Sequence, residues 1–266
     1  MYRFLDTGKN NGAMNMAIDE ALLAGQSEFG LPPAIRAYQF DPPTLSIGYF
    51  QSMEREVDIN YCKKRGFDVV RRPTGGRAVL HDRELTYSIT IAYPHKILDM
   101  NFLDSFHFLS KGIIKAIELL GGNAYFSERE DKEITSSSCF AAPTFSDILI
   151  NGRKVVGSAQ MRNRIGLLQH GSVLYRVSVE DIFHALKVSN DRRERIISAA
   201  KNKITSLSDE LGRDVVLEEV KDAFKKGMQY ILEDNFTESS LEDKEMKMAN
   251  SLYKDKYSTF DWNFKR

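Results

Sequence analysis

The chain of 266 residues is long enough for one large domain, or a domain with an extension, and it needs no partner to bury a core. Its 37 basic and 37 acidic residues cancel, so no global field draws it to nucleic acid or an anionic membrane, and a charged partner must meet a local patch. Met1-Tyr2-Arg3-Phe4-Leu5-Asp6 lacks an apolar leader core, and no apolar run is long enough to span a bilayer, which reads as a cytoplasmic protein with no membrane partner.

The first periodic segment covers residues 14–24, apolar at helical spacing, with Asn11 and the glycine after it as the start of a helix. Pro32-Pro33 and Pro42-Pro43 bracket an alternating strand at residues 34–38. Asp58 is placed to cap a short helix that stops at Gly66, with Tyr61 inward and Lys63-Lys64-Arg65 at the end where the dipole favours cations. Cys62 on that helix reads as a small half-buried residue without chemistry.

A short β run at residues 67–70 and a period-two stretch at 85–91 flank Arg71-Arg72-Pro73-Thr74-Gly75-Gly76-Arg77-Ala78-Val79-Leu80-His81-Asp82. Two readings stand for this segment. Gly75 and Gly76 are either a tight turn with solvated charges, or a loop whose backbone approaches a bound group while the arginines offer forked donors to phosphate or carboxyl oxygens.

Apolar residues from Leu103 to Leu120 recur at three and four, giving a helix over residues 101–120 that stops at Gly121-Gly122. Residues 127–138 are polar and read as a mobile loop. A hairpin follows: strand 145–150, the two-residue turn Asn151-Gly152, and a return over 153–161. Another strand spans residues 167–177.

Beyond Ser178 the pattern turns to charged helical periodicity at 179–188, 217–232 and 241–256, with Trp262 as a terminal anchor. Helices interleaved with hairpin-rich strands indicate an α+β fold. The division is a core at residues 1–177 and a C-terminal helical extension at 178–266 packed on it. The two cysteines have no zinc or redox spacing, the five histidines no metalloprotease spacing, and no carboxylate run suits calcium, so no metal is expected.

The Arg71–Asp82 segment resembles the Arg-Arg, glycine-pair, Ala-Val-x-His-Asp pattern of the lipoate/biotin protein ligase and octanoyltransferase superfamily. The resemblance extends to residues 15–23, 43–51, 152–160 and 168–172, in the expected order, and so covers the chain from its first helix to about Leu174. Arg77 stands where the ligases carry a third glycine. With the run Glu84-Leu85-Thr86-Tyr87-Ser88 and Cys139, it makes the chain most similar to the octanoyltransferases that load the glycine-cleavage H protein.

That resemblance implies a mixed β-sheet flanked by helices and an acyltransferase of lipoate biosynthesis and protein lipoylation. Octanoyl would pass from octanoyl-acyl carrier protein to Cys139 as an acyl-thioester intermediate, then to a lysine of the H protein or another lipoyl-type domain. It carries over a Cys139–Lys154 dyad, and Arg72, Gly75, Gly76, His81, Gly157, Ser158 and His170 as walls of the acyl tunnel. Ala78, Ala159 and Gly171 are further small residues that can leave a tunnel open. His81 and His170 are expected to position rather than act as general bases.

Lys154 sits on the return strand and Cys139 just before the outgoing one, so the two can approach across one hairpin. At about 5 Å and an effective dielectric of about 20, the ammonium would favour a thiolate by roughly 3 kcal/mol, enough to make it the major form at neutral pH. Thioester exchange is nearly isoenergetic and the amide more stable still, so no ATP and no other cofactor is expected. The alternatives are an ATP-dependent lipoate-protein ligase, whose nucleotide-serving Asn-Asp pair is matched here by Ser146-Asp147, an octanoyl amidotransferase between H protein and E2 lipoyl domains, and a non-catalytic module that binds acylated carriers. Finally, Arg192, Arg193, Arg195, Lys201 and Lys203 form either a solvated helix face or a patch that steers acidic protein substrates.

Overall fold

A computed structural model of the chain describes residues 1–127 and 147–266. Its strands are β1 (Tyr2–Asn10), β2 (Ala34–Phe40), β3 (Thr44–Ile47), β4 (Asp68–Arg71), β5 (Val79–His81), β6 (Glu84–Ala92), β7 (Ala124–Phe126), β8 (Ile148–Ile150), β9 (Arg153–Arg162), β10 (Gly166–Leu174) and β11 (Phe236–Glu238). Its helices are α1 (Gly12–Phe29), α2 (Met53–Glu56), α3 (Ile59–Arg65), α4 (Phe102–Leu119), α5 (Val179–His184), α6 (Asn190–Lys201), α7 (Leu207–Leu211), α8 (Leu217–Leu232), α9 (Asp243–Leu252) and α10 (Phe260–Asn263).

Local chemistry sets many of these bounds. Asn11 caps α1 by accepting from the Met14 amide, and Asn101 caps α4 by accepting from the Asp104 amide. Asp58 caps α3, which ends at Gly66 in the left-handed region, as the spacing predicts. Asn151 and Gly152 both take positive φ, 49° and 77°, the geometry of a two-residue hairpin turn. Three of the departures from expectation have a clear local cause. β1 was not anticipated because Asp6-Thr7-Gly8-Lys9-Asn10 is polar, α6 because its first turn is almost entirely charged, and the last long helix stops at Leu252 and gives way to a π turn over Tyr253–Tyr257.

The main sheet is eight-stranded and mixed, in the order β11-β1-β2-β6-β10-β9-β8-β7. β1 runs parallel to both β11 and β2, and the remaining neighbours are antiparallel. A second sheet, β4-β3-β5, joins a parallel and an antiparallel pair.

One face of the main sheet is closed by α4 and α8, with Ile113, Phe224 and Met228 in the largest apolar cluster. The other face carries α1 and looks toward the small sheet. Among the described residues, 178–266 supply β11 to the main sheet and α8 to its covering layer, while Phe183 and Ile204 share a cluster with Leu45 and Leu80. The segment after Val177 therefore contributes a strand as well as helices. No helix among the described residues is long and apolar enough to cross a membrane.

Candidate active site

The glycine segment leaves β4 and returns into β5 as a loop pressed against Gly48. A Cβ on Gly48 would lie 2.0 Å from the Gly76 carbonyl oxygen, so no side chain fits there, and Gly76 itself has φ 88°. The two arginines ahead of the glycines have a different task from the one their forks suggested. Arg71 donates to the carbonyls of Gly48, Tyr49, Gln51, Trp262 and Asn263. Arg72 donates to the carbonyls of Ser46, Gly75 and Arg77.

Both guanidiniums are thus consumed by backbone acceptors and hold the loop from inside, which corrects the expectation that they serve a phosphate or carboxylate. Burial pulls Arg72 down to about 10. The exposed cation of the segment is Arg77, in the place of the ligases' third glycine.

Two histidines are fixed at both ring nitrogens. His81 stacks on Phe40 and bridges Glu84, 2.6 Å from Nδ1, to the Ser46 hydroxyl, 2.8 Å from Nε2. Thr86 donates to the same Glu84 oxygen. His170 meets the Thr74 hydroxyl at 2.6 Å through Nε2 and lies 3.5 Å from Asp19 through Nδ1. Asp19, on α1, also accepts from Arg36, Tyr38 and Ser88, all facing it from β2 and β6. Burial pushes the His170 imidazole below its ordinary value, so the ring is held neutral.

These groups surround a cavity of about 270 Å³ between the face of β6, β10 and β9 and the small sheet. Arg72, Gly76, His81, Lys154, Gly157, Ser158, Ala159, His170 and Gly171 all line it, so residues from three separate stretches converge. Gly171 stands where any side chain would meet Tyr87, Ser158 and the Gly157 carbonyl, which keeps β9 and β10 close behind the cavity. Gly75 does not line the cavity, and a Cβ placed on it would meet only the Phe50 ring, at 4.0 Å. Ala78 is buried in the cluster beneath the small sheet and does not line the cavity. Cys139 and Ser146 lie outside the described residues.

Lys154 is buried at the cavity wall, and its Nζ sits 2.8 Å from Asp147 Oδ1. Tyr38, Ser46, Thr86 and Ser172 also line the cavity and were not anticipated. The alternation of β6 carries a partial signal for them, since Thr86 and Ser88 fall on one face and Thr86 pairs across to Ser172. Among the described residues, no group of three or more His, Cys, Asp or Glu side chains is arranged to hold a metal.

Residues 11–229 match the family model described as the lipoyl protein ligase A/B catalytic domain. The chain is 42% identical to the octanoyltransferase LipM of Anoxybacillus flavithermus, over 100% of this chain and 99% of that protein. It is 38% identical to the octanoyltransferase LipM of Bacillus subtilis, over 100% and 98%. Among solved structures it is similar to a bipartite lipoate protein ligase from Thermoplasma acidophilum, described with its E2 lipoyl domain, at TM-score 0.84 and 28% identity over 98% of this chain and 95% of that one. A lipoate-protein ligase A bound with ATP superposes at TM-score 0.81 and 30% identity over 98% of both chains.

Proposed function

Since the chain belongs to the lipoyl protein ligase A/B catalytic domain family, we propose that it is an octanoyltransferase of lipoate biosynthesis, taking octanoyl from octanoyl-acyl carrier protein to a lysine of the glycine-cleavage H protein. The observation that carries this reading is identity over the whole chain, rather than over one motif, to proteins named octanoyltransferase. The cavity supports it: about 270 Å³, walled by glycine and alanine on β9 and β10, suits a slender acyl chain better than a bulky group.

In the proposed reaction the Cys139 thiolate attacks the carrier thioester and the carrier thiolate leaves. The acceptor amine then attacks the Cys139 thioester, an amide forms, the Cys139 thiolate leaves, and the amine's proton passes to solvent. Lys154 at the cavity wall supplies positive charge for the thiolate and for the oxyanion that develops at each attack. Every bond made is a thioester or a more stable amide, so the cycle uses no ATP. His81 and His170, tied at both ring nitrogens, shape the wall.

Similarity to an ATP-bound ligase gives the rival reading, in which the acid is first activated as an adenylate. Intact-mass measurement separates the two. Incubation with octanoyl-acyl carrier protein and no ATP should add one octanoyl group to the wild type and to Cys62→Ala, and none to Cys139→Ala. Cys62 is a suitable control because it is buried and its thiol is pushed up to about 11, chiefly by burial. An adduct that appears only with ATP and free octanoate, or one that survives in Cys139→Ala, would overturn the transferase reading.

A further inference from the structure

We infer that the outer face of α6 is the docking surface for the acyl donor, an acidic carrier domain that presents its thioester on a long flexible arm; the inference rests on the transferase reading above. Residues 187–203 hold six basic side chains against two acidic ones, a local net of four positive charges in a chain whose total is zero. Ile197 and Ala200 bury one side of the helix. Arg192 and Arg195, three residues apart and so on one face, are exposed and form no ion pair among the described residues. Lys201, by contrast, is tied to Glu180, and Arg193 to Asn190 and the Val188 carbonyl.

Position turns this charge into a docking argument. Ahead of α6, the Lys187 amide bonds the Glu56 carbonyl at 2.9 Å, and the Glu56 carboxylate lies in the field of Arg77 at the cavity. Behind α6, the Lys154 amide bonds the Lys203 carbonyl at 2.7 Å and the Thr205 amide bonds the Lys154 carbonyl at 2.9 Å. The helix, about 18 Å long at 1.5 Å per residue, therefore runs between a tether to Glu56, a neighbour of Arg77, and a tether to Lys154 in the cavity wall. No residue of α6 lines the cavity, so a domain seated on its outer face would be offset from it. A long arm spans that offset and a lysine side chain does not, which favours the donor over the acceptor as occupant. Opposite charge would act mainly on encounter and register.

The test is a titration of fluorescently labelled octanoyl-acyl carrier protein with wild type and with Arg192→Glu/Arg195→Glu, beside acylation by a small octanoyl thioester. At low salt the double variant should bind about tenfold or more weaker, and the gap should close as salt rises, because such pairs are screened beyond about 8–10 Å. The small thioester should react within about twofold of wild type, which also reports an intact fold. Arg192→Gln/Arg195→Gln should show a smaller defect of the same kind, and it replaces the reversal if that variant does not fold.

Unchanged carrier affinity, a loss independent of salt, or a loss confined to the acceptor protein would overturn the assignment. Wild type that binds the carrier through this face yet takes octanoyl from neither donor would sink the transferase reading while supporting the docking surface.

Discussion

Asp147 and Lys154 face each other at the start of the β8–β9 hairpin, Oδ1 to Nζ at 2.8 Å, with both side chains buried against the cavity. The lysine proposed to assist a thiolate is therefore already paired with a carboxylate. This tempers the field that a lone ammonium would exert, and it makes the pair a structural unit as well as a chemical one.

Removing one member of a buried pair takes away support for the other's charge, and such losses cost up to about 3–5 kcal/mol. Lys154→Met should thus be clearly destabilised in a denaturant titration. Lys154→Met/Asp147→Leu should recover most of that stability, because replacing both charges by apolar groups is often nearly neutral. Octanoyl transfer should stay down by about a hundredfold or more in both variants. A double variant that regains activity along with stability would remove Lys154 from the chemistry.

Gly48 gives a prediction about the loop. Alanine there would drive its Cβ against the Gly76 carbonyl, which has no room to retreat while Arg72 holds both Gly75 and Arg77. Overpacking of this kind costs about 1–3 kcal/mol. Since Gly76 and Arg77 line the cavity, transfer should fall more than stability does. Thermal melting beside kcat/KM measures the two effects, and a Gly48→Ala protein with full activity would show that the loop's fit is not needed.

His170 gives a pH prediction with a definite sign. Burial lowers its folded-state pKa below the unfolded value of about 6.5, so the unfolded chain takes up the proton first. The stability contributed by neutral His170 is present above about pH 6.5 and is lost as pH falls toward the lowered folded value. Arg36 and the hydrogen bonds at Asp19 hold that carboxylate below its ordinary value despite its burial, so the loss of Asp19 belongs to a more acidic window. Comparing Tm for wild type and His170→Gln from pH 7.5 to 5.5 should show the wild-type advantage shrinking. An advantage that grows on acidification would mean that the ring is charged in the folded protein.

What could be read from sequence alone divides along physical lines. The cap at Asp58, the stop at Gly66, the Asn151-Gly152 turn and the span of α8 are local, set by side chains within a few residues, and they appear where expected. The convergence of Arg72, His81, Lys154 and His170 on one cavity followed from a resemblance whose motifs place them on three separate stretches. The targets of Arg71 and Arg72 could not be read, because their acceptors are main-chain carbonyls, which every residue type carries. Asp147 was noted as a match to a ligase position, but its pairing with Lys154 depends on how the β8–β9 ladder shifts between Ile148 and Leu149. Cys139 lies outside the described residues, so its place remains part of the proposal.

The parallel ladder of β1 with β11, Tyr2 to Phe236 through Phe4 to Glu238, also bears on how the molecule is made. On a ribosome the first strand emerges long before its outer neighbour has been synthesised, while β2 follows soon on the inner side. At roughly 5–20 residues per second, β1 keeps one open edge for on the order of ten seconds or more. An unpaired edge is a template for any extended segment, so this is the interval in which a nascent-chain chaperone or a neighbouring polysome's product competes with β11 for the same backbone.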